Sequence, residues 1–267
     1  GNIDFRGDIV IHGNVESGVS IRATGSITID GVAEACMLEA GKDIILRGGM
    51  LGGNKASVKT KGAITAKFFE FTNILCEGDL QADVLMDCSV ICHGQIRLTG
   101  RKGSIIGGKV QAIRGLIATS LGNDAEKRTE IFVGAGIDVY SRLRVMEKKI
   151  ETTREELAKI EEGLEKFEIL SKERGVSYTN DPRRTSLLRI KIKDSAMLAS
   201  DEEEVRKLRI LAESSRGACV SVIQEIYPGV IINMDELKLA LKNMATGVEF
   251  YKLPDKIGTR PCSAGVE

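Results

Sequence analysis

The chain has 267 residues with 38 basic and 38 acidic side chains, and this charge balance excludes a bulk electrostatic attraction to nucleic acid or to anionic lipid. Its 29 glycines follow no collagen-like period and indicate many tight corners, as in a repeating β structure. No apolar run reaches the ~18 residues of a membrane span. The six cysteines contain no CxxC pair, which favours reduced thiols in a cytoplasmic protein.

Residues 1–137 repeat a unit of glycine, a mostly polar residue, an aliphatic residue, one more residue, and a second aliphatic residue or alanine. Clear copies are Gly7–Ile11, Gly25–Ile29, Gly62–Ala66, Gly78–Ala82 and Gly94–Leu98. With a degenerate copy at Ile44, the first aliphatic positions are spaced by 18, 17, 20, 16 and 16 residues. Such alternation is typical of strands with one buried face, and stacked copies bury a continuous core. The pattern predicts a mainly β protein, a parallel β-helix of about six or seven coils.

Two features bear on the handedness of this β-helix. Ile9, Val15, Ile21 and Ile27 follow a spacing of six, which is typical of left-handed hexapeptide helices. The coil length then drifts between 16 and 20 residues, whereas a hexapeptide helix keeps a length of about 18. This drift favours a right-handed β-helix.

Residues 138–216 change from a strand pattern to a helical one. From Val139 onward, apolar residues recur in alternating steps of four and three, with Thr153 filling one position. This spacing predicts a coiled-coil seam over four heptads. The seam residues that we expect to mediate an interaction are Leu143, Met146, Ile150, Leu157, Ile160, Leu164 and Phe167.

A second helical stretch follows a breaker cluster that contains Gly175 and Pro182. Lys191, Asp194 and Ser195 interrupt its apolar positions, which are Leu188, Ile192, Leu198, Val205, Leu208 and Ala212. Two helices of matched length, about 45 Å each, predict a long antiparallel hairpin inserted in the β-helix. Because the patchier second helix leaves part of the first helix's seam uncovered, we expect a homodimer or a complex with a partner protein.

Residues 217–253 return to strand patterns and are predicted to complete the β-helix, with 254–267 as a tail. Tyr227-Pro228-Gly229 places proline and then glycine as a type II turn requires. The chain therefore divides into a β-helix over 1–137, a hairpin insertion over 138–216, returning strands and a tail.

One segment resembles a phosphate-binding loop. Gly103–Lys109 matches G-x-x-x-x-G-K, but Val110 stands where a Ser or Thr must hold magnesium. A strand pattern also follows where a helix N-terminus is needed to bind an anion. We therefore interpret the segment as a glycine-rich corner, and we expect no cofactor.

Several polar residues are candidates for chemistry. Cys76 and Cys92 precede the repeat glycine by the same offset and should stack; with Cys88 and His93 nearby, zinc is conceivable, but a ladder of buried thiols is the commoner outcome. His12 and His93 have no recognisable partner. The recurring Asp8, Asp43 and Asp79 fit a solvated polar face, and the cluster Phe68, Phe69 and Phe71 fits ordinary core. We therefore predict no catalytic residue and no metal ligand.

The chain resembles the flagellar assembly protein A (FapA) family in its C-terminal β-helix and coiled-coil region. The likeness lies in Gly1–Val15, in Gly103–Ala112 and in Ile226–Val230 after the hairpin. It implies a bacterial cytoplasmic protein linked to flagellar assembly, with flagellar assembly or regulatory proteins as partners. Family members usually carry a further domain before the first β-repeat, so the resemblance also implies a C-terminal portion of a longer protein.

These observations lead to two hypotheses for the function. The first is a non-enzymatic scaffold for flagellar assembly, in which the hairpin mediates dimerisation or partner binding. The alternative is a β-helix enzyme that acts on a carbohydrate or an acyl donor, and it needs a cleft with converging polar groups.

Overall fold

The computed structural model describes residues 1–100 and 102–263, apart from the side chains of residues 137 and 138. The chain forms two compact units: Gly1–Gly136 together with Ser214–Glu267, and Ile137–Glu213. The first unit is a parallel β-solenoid of about seven turns, and the second is a hairpin of two helices. The predicted mainly β fold with an inserted helical hairpin is therefore confirmed, while the right-handed sense stays a prediction.

The described residues contain 21 strands and two helices. The strands before the hairpin are β1 (Ile3–Phe5), β2 (Ile9–Ile11), β3 (Ser20–Ala23), β4 (Ile27–Ile29), β5 (Ala33–Glu34), β6 (Met37–Ala40), β7 (Ile44–Leu46), β8 (Met50–Thr60), β9 (Ile64–Ala66), β10 (Phe68–Cys76), β11 (Leu80–Gln81), β12 (Val84–Cys92), β13 (Ile96–Leu98), β14 (Ser104–Ala112), β15 (Leu116–Leu121) and β16 (Thr129–Val133). The helices are α1 (Gly136–Arg174) and α2 (Pro182–Ser214). The strands after the hairpin are β17 (Cys219–Ile226), β18 (Val230–Met234), β19 (Leu237–Ala240), β20 (Ala245–Lys252) and β21 (Ile257–Pro261).

The repeat unit of the sequence forms one column of this solenoid. Strands β2, β4, β7, β9, β11, β13, β15 and β17 pair in parallel, so that Ile9, Ile27, Ile44 and Ile64 lie in register. Ile27, Ile44 and Ile64 are at most 1% exposed. Each buried aliphatic side chain contributes about 1.5–3 kcal/mol, which explains why the first aliphatic position of the unit is the most regular feature of the sequence.

The recurring aspartates bind the backbone of the next coil. Asp8 Oδ1 accepts a hydrogen bond from Ser26 N at 2.7 Å, and Asp43 Oδ1 accepts one from Ala63 N at 2.7 Å. A Cβ added to Gly62 would lie 2.3 Å from Asp43 Oδ1, so the glycine makes room for the carboxylate. The interpretation of these aspartates as a solvated polar face was therefore incomplete. Each carboxylate also accepts a hydrogen bond from a backbone N–H one coil away, which the sequence did not reveal.

Replacing Asp43 by alanine is expected to destabilise the solenoid by about 1–2 kcal/mol, because the Ala63 N–H loses its acceptor. Asp43→Asn keeps an acceptor oxygen at the same position and is expected to retain most of the stability. Urea denaturation of the two variants measures the difference. Equal losses of unfolding free energy would contradict the role of this hydrogen bond.

The returning strands first continue the parallel stack and then end it. Strand β17 pairs in parallel with β15, and β18 with β16. Gly229, between them, has a φ of +85°, as the third residue of the predicted type II turn requires. Strands β19, β20 and β21 all pair antiparallel.

Part of the predicted tail is a strand. Within residues 254–267, Ile257–Pro261 forms β21, which pairs with β20. Glu249 on β20 is 5% exposed, and Arg260 Nε lies 2.6 Å from its Oε1. The segment is the second strand of a β-hairpin with the strand that directly precedes it, and the turn is closed by a hydrogen bond from Leu253 N to Lys256 O. The sequence analysis missed this local hairpin because the segment has no regular alternation of apolar residues. The structure does not describe residues 264–267.

The break between the two helices of the hairpin lies where the sequence predicts it. Gly175, directly after α1, has a φ of +62°, a conformation that glycine adopts readily at a helix C-terminus. Asp181 Oδ1 accepts a hydrogen bond from Arg183 N at 2.8 Å and so caps α2. Pro182 follows at the first helical position, where a missing N–H costs nothing.

Candidate interaction site on the helical hairpin

The predicted seam of α1 lies between the two helices. Ile150 and Leu157 are buried, as is Thr153 within the same spacing. Their counterparts on α2 are Val205, Leu208 and Ala212. The remaining seam residues are only half-buried: Leu143, Met146, Ile160, Leu164 and Phe167. The seam therefore forms the hairpin's own contact, and it is most completely covered where Ile150 and Leu157 lie.

Ion pairs across the hairpin fix its antiparallel register. Lys149 Nζ lies 2.7 Å from Asp201 Oδ2, and Lys191 Nζ lies 2.8 Å from Glu161 Oε1. Asp201 is only 8% exposed, so a shift of the register would leave a buried carboxylate without its cation. Because the carboxylate is largely desolvated while the Lys149 side chain is 47% exposed, this contact favours the observed alignment.

A groove of about 930 Å³ runs along the helices beside the seam. The buried side chains of Ile150 and Val205 line it, and so does Ile210, which is 57% exposed. Charged side chains complete the lining: Glu147, Glu151, Arg154, Glu155, Glu202, Arg206, Arg209 and Glu213. An apolar floor with charged walls between two helices is the geometry that receives a third helix.

The charges of the groove are partly neutralised within the hairpin. Glu147 accepts hydrogen bonds from Arg209, with a shortest distance of 2.6 Å, and Arg154 Nη2 lies 2.6 Å from Glu202 Oε1. Pairs of this kind on an exposed surface contribute little to stability. They do hold the long arginine side chains across the helices, so the walls of the groove are ordered by contacts within the chain.

Helix α2 also presents aliphatic side chains to solvent. Ile192, expected at an apolar position of the second helix, is 71% exposed, and Ile190 is 44% exposed. The expectation for Ile192 was wrong because Lys191, which pairs with Glu161, occupies the side that faces α1 at this point. Ile210 was not singled out, because the seam spacing selects only residues between the two helices.

The phosphate-loop-like segment lies in a strand. Residues Ser104–Ala112 form β14, and Gly107 and Gly108 within it have φ values of +72° and +80°. A strand replaces the helix N-terminus that an anion site needs. Ser104 and Ile105 pair with β15, whereas the residues from Gly108 onward pair with β16. The two glycines thus lie where the strand bends and changes its partner, in agreement with the predicted glycine-rich corner.

The four buried cysteines, Cys36, Cys76, Cys88 and Cys92, behave as small apolar side chains. Cys76 and Cys92 are register partners on β10 and β12 and are fully buried, which confirms the predicted thiol ladder. The hydrogen bond to Cys76, and then burial, raises the pKa of the Cys92 thiol. Burial raises the pKa of Cys36 and of Cys88 to about 11. Among the described residues, no cluster of three or more His, Cys, Asp or Glu side chains could hold a metal ion.

His12 has a partner that the sequence did not reveal. Its Nδ1 lies 2.6 Å from Asp30 Oδ2, one coil away, and Arg47 Nε lies 3.5 Å from the other oxygen of Asp30. The His12 side chain is 83% exposed, so the pair has no enclosure that excludes water from it. The geometry supports a surface ion pair between successive coils.

The aromatic cluster is only partly core. Phe69 is fully buried, whereas Phe68 and Phe71 are half-buried. Phe68 lines a cleft of about 390 Å³ together with Val84 and Met86. The expectation of ordinary core thus fails for two of the three residues. Phe68 is the strand neighbour of Phe69 and points to the opposite face, and Phe71 has a φ of +46° at an irregularity in the strand pairing, where the alternation is interrupted.

The comparison with known families agrees with this architecture. The model of the FapA family, described as the Flagellar Assembly Protein A beta solenoid domain, matches residues 1–257. The chain belongs to the FapA family. The FapA match includes both the solenoid and the hairpin, so the groove lies inside the family domain. No curated protein and no solved structure is significantly similar to the chain.

Neither helix in the described part of this FapA-family chain combines the length and apolar character that a membrane crossing needs.

Proposed function

We propose that this FapA-family chain is a cytoplasmic scaffold in flagellar assembly and that the groove on its helical hairpin is the interaction site. The observation that carries the proposal is the combination of buried Ile150 and Val205 with exposed Ile210 along one groove. A helix laid in the groove would cover Ile210 and the neighbouring apolar surface. Helices are commonly recognised in this way, through apolar residues that enter a groove between two helices.

The solenoid supports this role by its rigidity. Its strands pair along the whole unit and share one continuous core. A close-packed interior of this kind deforms little. We infer that the solenoid is the frame and that the hairpin binds a second copy of the chain or another assembly protein.

Replacing Ile210 by aspartate is expected to weaken self-association at least tenfold, because a carboxylate would have to be desolvated in the apolar contact. Sedimentation velocity over a series of protein concentrations measures this. Val145→Asp is the matched control, since Val145 is 68% exposed on α1 and does not line the groove. A chain that is monomeric at all concentrations, or one whose association is unchanged by Ile210→Asp, would contradict dimerisation through the groove.

A further inference from the structure

The groove has an excess of unpaired negative charge. Within it, Arg209 is paired with Glu147 and Arg154 with Glu202, while Arg206 is paired with Glu203. Among the described residues, no ion pair neutralises the three remaining acidic side chains, which are Glu151, Glu155 and Glu213. An occupant with basic residues flanking its apolar side chains would therefore be attracted and oriented by the groove.

The first part of α2 has the complementary chemistry. Its basic residues are Arg183, Arg184, Arg189, Lys191 and Lys193, and no acidic residue occurs before Asp194. In the described structure only Lys191 of this set makes an ion pair. The exposed Ile190 and Ile192 lie among these positive charges. The segment is thus basic and apolar, while the groove is acidic with an apolar floor.

Each hairpin carries both the acidic groove and the basic segment, and the two lie at different positions along its length. The pair Glu161–Lys191 places the basic segment of α2 beside residue 161 of α1. Glu151 in the groove is ten residues away from Glu161 on the same helix, a distance of about 15 Å along the helix axis. The offset prevents a hairpin from filling its own groove with this segment. The same offset allows two hairpins in antiparallel orientation to fill each other's grooves with their basic segments.

We propose that the occupant of the groove is the basic segment Arg183–Lys193 of α2 in a second copy of the chain, with each copy receiving the segment of the other. A two-fold axis midway between groove and segment, near Leu157, brings both contacts together. Such an isologous arrangement uses the same surface on both copies and closes after two. Ile192 enters the groove against Ile210, and Arg189 and Lys193 meet the unpaired glutamates. The inference rests on the proposed function and specifies its partner.

Charge reversal tests the reciprocal contact on the full chain. One variant carries Glu151→Lys and Glu155→Lys, and a second carries Arg189→Glu and Lys193→Glu. All four side chains are exposed, so the hairpin is expected to keep its helical signal. Alone, each variant places like charges in both contacts and should self-associate at least tenfold more weakly. A 1:1 mixture restores opposite charges in both contacts and should form a heterodimer as tight as the original dimer.

The controls separate this inference from the proposed function. Glu16→Lys with Glu77→Lys makes the same change of net charge at exposed positions of the solenoid and should leave the association intact. If Ile210→Asp weakens association but the mixture shows no heterodimer by sedimentation velocity, the groove binds something other than this segment and the reciprocal contact is wrong. If neither Ile210→Asp nor charge reversal changes the mass of the chain in solution, dimerisation through the groove and the reciprocal contact both fail.

Discussion

Replacing Gly108 by alanine is expected to cost the solenoid about 4 kcal/mol or more, a loss that few single substitutions cause. Gly108 lies on β14 opposite Cys88 of β12. A Cβ at this position would lie 2.2 Å from the carbonyl oxygen and 2.7 Å from the nitrogen of Cys88. Both atoms belong to the backbone, so rotation of a side chain cannot relieve the contact. The φ of +80° adds strain of about 1–3 kcal/mol for any residue with a Cβ.

Gly18→Ala separates the two causes of this loss. Gly18 has a φ of +83°, and a Cβ built on it would have no atom within 4 Å. This control therefore suffers the backbone strain alone and should lose about 1 kcal/mol. Thermal denaturation compares the variants, with a decrease of the melting temperature of about 10 °C expected for Gly108→Ala. Similar decreases for the two variants would show that the close approach of the coils at Cys88 has no energetic effect.

Replacing Leu157 by aspartate is expected to unfold the hairpin while the solenoid keeps its structure. Leu157 is buried between the two helices, at 9% exposure. Loss of a buried leucine side chain costs about 2–5 kcal/mol, and the introduced carboxylate must also lose water. Long helices in water depend on packing against a partner rather than on their intrinsic propensity. Both α1 and α2 should therefore lose helical structure together.

Circular dichroism measures this effect, because α1 and α2 are the two helices in the described part of the chain. The ellipticity at 222 nm should decrease strongly, and the β signal should remain. Ala158→Asp is the control, since the neighbouring Ala158 is exposed and an aspartate there needs no desolvation. A Leu157→Asp variant with full helical signal would contradict the burial of the seam. Because Leu157 supports the hairpin itself, loss of self-association in this variant would not identify the binding surface, whereas Ile210→Asp tests that surface directly.

Most of the fold follows from patterns that are local in sequence. The glycine–aliphatic unit predicts strands because alternation along a strand directs every second side chain to one face. The steps of three and four from Leu143 to Phe167 predict a helix with one apolar stripe for the same kind of reason. The hairpin turn followed from Gly175 and Pro182, whose backbone preferences act within one or two residues.

The features that were missed depend on residues one or more coils apart. Asp43 binds Ala63 N, and His12 meets Asp30, at separations that the drifting coil length does not fix. The strand Ile257–Pro261 is an exception, because it pairs with the strand that directly precedes it and was missed for its lack of a regular apolar alternation. In the hairpin, the seam was visible in the spacing, but the groove that Ile210 lines was not, because it is formed by two helices together.

By itself, the sequence determined that this chain stacks β-coils, that two long helices interrupt them, and that the thiols at Cys76 and Cys92 come together. Each of these results needs only a periodicity, because a period sets which side chains share a face. The tertiary structure alone decided which apolar residues remain exposed, such as Ile192 and Ile210. Exposure depends on what packs against a residue, and the ion pairs that set the alignment of α1 and α2 join residues far apart in the chain.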